Sequence, residues 1–273
     1  MTIVLAIATS GCERPSPSAS AARRDEPRAR GRDETTRANV ADAAPSEPRR
    51  APPMPTDEDV VVTTVGPDPT SAGRVTIVAL HGLGDSPENF SLWLRAAPIS
   101  ARVLAIRAPE RFGSGSAWWQ PGGSDAFITS TMERSARHVR DKYEAATRGQ
   151  AQCGQPILLG FSQGAMVAFA MAGRRDVPFR LIVPISGRLT AGSLDARPFE
   201  RSDVEVRAMH GALDTRIPIG GAQFAVGLLR QRGLDATLQT FANVEHSIPD
   251  EMRAAVFDEI ARVARAMRCT TTS

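Results

Sequence analysis

The chain has 273 residues, 42% of them apolar, enough for a sizeable buried core, and carries a formal net charge of +3. Its basic residues are arginines apart from one lysine, Lys142, and no basic run is interleaved with aromatics. A solvated mixed-charge surface is therefore expected, and nucleic acid is not expected as a partner.

Residues 2 to 11, TIVLAIATSG, are small and apolar and stand before Cys12. Ten such residues are too few to span a bilayer but long enough for the apolar part of a secretory signal. Small residues directly before a cysteine resemble the cleavage box of bacterial lipoproteins. That resemblance implies lipid on Cys12 and a place in the cell envelope. A soluble secreted form and an unprocessed cytoplasmic chain are the alternatives. Residues 13 to 60 contain no Leu, Ile, Phe, Trp or Tyr and are rich in Pro, Arg, Asp, Glu, Ser and Ala. Such a stretch buries too little apolar surface to offset its ordering entropy, and it reads as a disordered linker. The sequence thus divides into a signal-like segment (1–12), a linker (13–60) and one α/β domain (61–273). Cys153 and Cys269 form a candidate disulfide in an oxidising compartment, with two free thiols as the alternative. No cysteine or histidine spacing resembles a metal site, and no metal is expected.

From Val75 onward short apolar runs alternate with helical patterns. Strands are predicted over Val75–Leu80, Arg102–Ile106, Pro156–Phe161, Leu181–Ile185, Val204–Met209 and Ala236–Phe241. Their apolar residues run on rather than alternate, as in a sheet buried on both faces. Helices are predicted over Ser86–Ala97, Ser130–Ala146, Ala165–Ala172, Gly221–Arg232 and Pro249–Met267. Alternation of this kind predicts a mostly parallel sheet with helices on both faces. No G-x-G-x-x-G follows an early strand, which argues against a dinucleotide site.

The loops carry the chemistry. Gly160-Phe161-Ser162-Gln163-Gly164 matches G-x-S-x-G between a predicted strand and a predicted helix. A serine there sits on a tight turn, exposed above the sheet, where crowding demands glycine on either side. A merely structural glycine turn is the plain alternative. In this arrangement the chain order is serine, acid, histidine. Of the four histidines only His246 follows an acid that satisfies that order, and it lies after a predicted strand, at the end of the sheet where ligands bind. Asp214 follows Val204–Met209, whereas Asp195, Asp203 and Asp235 precede strands. Asp214 is therefore the predicted acid, with a helix-capping role as its alternative. His210 is read as structural. His81-Gly82-Leu83-Gly84-Asp85 follows the first predicted strand. Its glycines let the Leu83 N–H face a developing oxyanion, with the Gln163 N–H as the second donor. A tight turn with Asp85 capping the next helix is the alternative. Trp118 and Trp119 are adjacent, so they cannot both face the core of one regular element. One of them is expected to line a substrate pocket, or else both serve as surface packing.

Taken together, HGLGD, AWWQ, GFSQGA, HGALDTRIP and EHSIPDE resemble the carboxylesterase/phospholipase family that includes acyl-protein thioesterases, over about residues 75–262. The resemblance implies an α/β-hydrolase fold without a large lid or cofactor, a triad of Ser162, Asp214 and His246, and oxyanion donors on Leu83 and Gln163. The sequence departs from the family at Glu245, where Gly is usual, and at Trp119-Gln120, where Phe-Asp is usual. The expected activity is carboxylesterase action on a small-molecule ester. A lysophospholipase or thioesterase acting on longer acyl chains is one alternative, and an inactive tethered binding protein is another.

Overall fold

The chain divides into two units, Met1–Ala51 and Pro52–Ser273. The computed structural model describes residues 59–67, 74–172, 174, 179–190, 192 and 203–267. The first unit lies outside these, and so do Cys12, most of the expected linker and Cys269. Cys153 is buried and disulfide-bonded.

Seven strands form one sheet: β1 (Val60–Val65), β2 (Val75–Leu80), β3 (Ala101–Ile106), β6 (Ile157–Phe161), β7 (Leu181–Ile185), β8 (Glu205–Gly211) and β9 (Asp235–Phe241). Their order across the sheet is β1-β3-β2-β6-β7-β8-β9. Every pairing is parallel except β1 with β3, which is antiparallel with Val60 opposite Ile106. The middle strands β2 and β7 are buried along their whole length, which explains their unbroken apolar runs. Two further strands, β4 (Glu110–Phe112) and β5 (Gly115–Ala117), form a small separate hairpin.

Helices cover both faces. On one face Val78, Leu80, Leu158 and Val206 pack against α2 (Asp125–Thr147), α3 (Gln163–Met171) and α4 (Gly220–Gln231). On the other, Ile77, Ala79, Leu159 and Val183 pack against α1 (Pro87–Ser91) and α5 (Asp250–Ala266). No lid is evident. Among the described residues no helix is long and apolar enough to cross a membrane, and no His/Cys/Asp/Glu group is arranged to hold a metal.

The sequence reading differs from the structure in four places. β1 starts at Val60, inside the segment read as linker, and was not among the predicted strands. The hairpin β4–β5 was not predicted either. The predicted helix over Ser86–Ala97 is α1 followed by a 3-10 turn, Leu92–Ala96. Helix α2 begins five residues before the predicted start, where the Ser124 hydroxyl caps it by accepting from the Phe127 N–H at 3.2 Å.

Candidate active site

Parallel strands deliver their following loops to one edge of the sheet. The loops after β2, β6, β8 and β9 bring the HGLGD segment, Ser162, Asp214 and His246 together there.

Ser162 occupies the turn from β6 into α3 with φ 55° and ψ −116°, a backbone state that a non-glycine residue adopts only when its surroundings impose it. Its N–H is tied to the Ile185 carbonyl of β7 at 3.0 Å. The flanking glycines answer to space rather than to dihedral angle. A Cβ at Gly160 would strike the Gly164 carbonyl, and a Cβ at Gly164 would strike the Leu80 carbonyl of β2.

The three predicted side chains meet. Ser162 Oγ lies 2.9 Å from His246 Nε2, and His246 Nδ1 lies 2.7 Å from Asp214 Oδ2. The carboxylate accepts from Nδ1–H, which leaves Nε2 free to accept from the serine hydroxyl. The His246 ring stacks on Phe161 with centroids 4.9 Å apart. Asp214 is buried, and its Oδ1 accepts from the N–H groups of Arg216 (3.0 Å) and Ile217 (2.9 Å). Burial alone would raise its pKa. The Ile217 N–H and the two neighbouring imidazoles outweigh that and hold the carboxyl below its usual range. Asp214 thus also bridges the turn that leads into α4.

The HGLGD loop is clamped by the β4–β5 hairpin. Gly84 N–H donates to the Ser116 carbonyl at 2.9 Å and Ser116 N–H to the Asp85 carbonyl at 3.0 Å. Gly84 has φ +75°, and Gly115 lies so close to the Gly84 and Asp85 carbonyls that a side chain at 115 would collide with them. Among the described residues neither the Leu83 N–H nor the Gln163 N–H donates to another group, and both residues border the cavity above Ser162. Ser86, rather than Asp85, caps α1, its hydroxyl accepting from the Asn89 backbone N–H at 3.2 Å, while Asp85 Oδ1 accepts from the Ser86 N–H and the Asn89 side-chain amide.

The two tryptophans separate. Trp119 lines the cavity, as expected of one of the pair. Trp118 does not. It is part of the core, its indole N–H donating to the His81 carbonyl at 2.8 Å. Both are nonetheless buried, because the chain bends there and is neither strand nor helix, so the alternation that would separate them does not apply. Of the two family departures, Glu245 is exposed at the cavity and Gln120 points to the Arg111 carbonyl.

Four side chains escaped the sequence reading. The Gln163 side chain accepts from the Trp118 N–H (3.1 Å) and donates to the Trp119 carbonyl (2.9 Å), fixing the aromatic wall to α3. His81 is fully buried. Its Nδ1–H donates to the Gly82 carbonyl, and its Nε2 accepts from the Ala108 N–H at 3.1 Å and lies equally close to Ser116 Oγ. Burial lowers its pKa, so it stays neutral as a brace of the loop. Arg188 and Arg216 also reach the cavity. A lone arginine gives no sequence signal of that kind.

The sheet, its crossovers and the loop-borne site define an α/β-hydrolase fold. The chain belongs to the phospholipase/carboxylesterase family, whose sequence model matches residues 67–263. Among solved structures it is similar to esterase PE8 (21% identity, 75% of this chain and 99% of that chain covered, TM-score 0.63). It is also similar to acyl-protein thioesterase 2 of Zea mays (22%, 75% and 99%, 0.60) and to a carboxylesterase of Mesorhizobium loti (20%, 77% and 98%, 0.63). These likenesses speak to the fold. No curated protein matches the chain.

Proposed function

We propose that this chain is a serine carboxylesterase that cleaves carboxylic esters through an acyl-enzyme on Ser162. The observation that carries the reading is the unbroken hydrogen-bond chain from Ser162 Oγ through His246 to Asp214. His246 Nε2 takes the hydroxyl proton as Oγ attacks the ester carbonyl. The tetrahedral oxyanion is held by the Leu83 and Gln163 N–H groups at the start of α3, which need not first break bonds to other groups. His246 then passes its proton to the leaving alcohol, and the acyl group stays on Oγ. Water, deprotonated by the same imidazole, attacks the acyl-enzyme and releases the acid. Asp214 remains ionised throughout and stabilises the imidazolium, a role consistent with its depressed pKa.

Ser162→Ala should abolish labelling by a fluorophosphonate probe and lower kcat by roughly a millionfold, while the circular dichroism spectrum is unchanged. Full labelling of the variant would refute the assignment.

A further inference from the structure

The cavity above Ser162, about 550 Å³, carries charge that ester hydrolysis itself does not use. Arg188 and Arg216 both line it. They arrive on one flank: Arg188 from the loop after β7, Arg216 from the loop after β8. Arg188 lies against the first turn of α4, where a side chain at Gly221 would press on its Cβ at 2.6 Å.

Among the described residues only one of the two guanidiniums has an ion pair, and that one is loose. Arg188 has one ion pair, a 3.5 Å contact with the well-exposed Asp125. The Arg216 side chain has none; only its backbone N–H is engaged, by Asp214. Two carboxylates also border the cavity, and they do not close this gap. Asp85 is committed to the start of α1, with its Oδ1 accepting at 2.8 and 2.7 Å. Glu245 follows β9 beside the base and makes no ion pair among the described residues. Two like charges converging on one cavity repel each other unless an anion lies between them. A guanidinium fork fits a carboxylate or phosphate and gains from charge-assisted bonds.

We propose that Arg188 and Arg216 form an anion subsite, so that the preferred substrates are esters bearing a second, ionised acid group. The inference rests on the hydrolase reading above and names its substrate class. With the ester carbonyl on Ser162, the ionised end lies against the β7–β8 flank and orients the scissile bond.

The test compares monomethyl adipate with methyl hexanoate, which match in acyl length and differ in the terminal carboxylate, with acid release followed at constant pH. The wild-type chain should favour the adipate ester by about tenfold in kcat/KM, and the preference should shrink as ionic strength rises. In Arg188→Gln/Arg216→Gln the ratio should collapse to about one. Arg253→Gln on α5, a residue that does not line the cavity, should retain it. Arg216→Gln alone, a change on an exposed loop, carries the same test should the double variant fold poorly. Stronger inhibition by free adipate than by inorganic phosphate would assign a carboxylate ligand, and the reverse a phosphate. Equal or better turnover of methyl hexanoate, or a preference that survives the double substitution, would overturn the proposal. Fluorophosphonate labelling of wild-type Ser162 separates the two readings. Its absence sinks the hydrolase, whereas intact labelling without anion preference sinks only the subsite.

Discussion

Asp214 is held from two directions, and His210 supplies part of the second. His210 is fully buried with its Nε2 2.8 Å from the Ile217 carbonyl and 3.4 Å from Asp214 Oδ2. The carbonyl needs a donor, so the ring carries its proton on Nε2. Burial lowers its pKa, and the ring stays neutral. The same N–H therefore ties the acid loop together and leans on the carboxylate oxygen that orients His246. This is a positioning role, since His210 does not touch Ser162. His210→Phe retains the ring volume and removes the donor. It should lower kcat by roughly tenfold to a hundredfold with KM nearly unchanged, because a misdirected Asp214 leaves His246 poorly aligned for proton transfer. His210→Asn, which keeps a donor, should recover part of the loss. A kcat for His210→Phe equal to that of the wild type would show that the backbone N–H groups alone place Asp214.

At the scale of elements, the turn from β6 into α3 is where space is tightest. Gly164→Ala puts a methyl group against the Leu80 carbonyl and must push the start of α3 away from β2. Overpacking of that kind costs about 1–3 kcal/mol. It also moves the Gln163 N–H relative to Leu83, so activity should fall further than stability does, by roughly a hundredfold in kcat/KM. Gly227 in α4 is the contrast: a Cβ there meets nothing, and its φ is not positive. Gly227→Ala should stabilise the fold by about 0.5–1 kcal/mol at unchanged kcat/KM, read from denaturant midpoints.

The same contrast between crowded and open elements governs what could be read in the sequence. Central strands are apolar on both faces, so β2 and β7 announced themselves and carried the motif loops with them. Strand β1 is half-exposed at a sheet edge, and its VVVTTV follows a polar stretch, so neither a continuous run nor a clean alternation marked it. The first turn of α2 is exposed, Phe127 included, and the amphipathic pattern becomes visible only further along. Three-residue strands such as β4 and β5 have no period to detect. The triad was legible because a strand, a tight glycine turn and a fixed chain order constrain one another. The Gln163 clamp and the placing of Arg188 depend on contacts between loops distant in sequence, which no local pattern encodes.

For the whole molecule, three of the four histidines are built in as neutral groups, His81 and His210 buried and His138 half-buried. His81 braces the HGLGD loop, His210 the loop that carries Asp214, and His138 on α2 donates from Nε2 to the Arg107 carbonyl at 3.0 Å. All three have pKa values depressed by burial below the usual 6.5 of an imidazole. The unfolded chain therefore binds these protons more readily than the folded one. Their contribution to stability is complete above about pH 6.5 and is lost as pH falls from there towards the folded-state values, at about 1.4 kcal/mol per unit of depression for each group. The carboxylates behave alike at lower pH. Asp214, Glu205 and Asp235 have folded pKa values below the ordinary carboxylate values, and their contribution fades as pH falls through and below 4.5 for the glutamate and 3.8 for the aspartates. Glu205 is the most heavily paired, with Arg180, Arg207 and Arg262 at the start of β8. Urea midpoints should accordingly be level in neutral and mildly alkaline buffer, begin to drop near pH 6.5, and drop again in stronger acid. His138 lies away from the triad, so His138→Gln isolates one of these protons. Its stability should depend less on pH between about 6.5 and 5 than that of the wild type, by up to one bound proton, while the second drop is unchanged. Identical slopes for the two chains across that interval would show that His138 titrates alike in the folded and unfolded states.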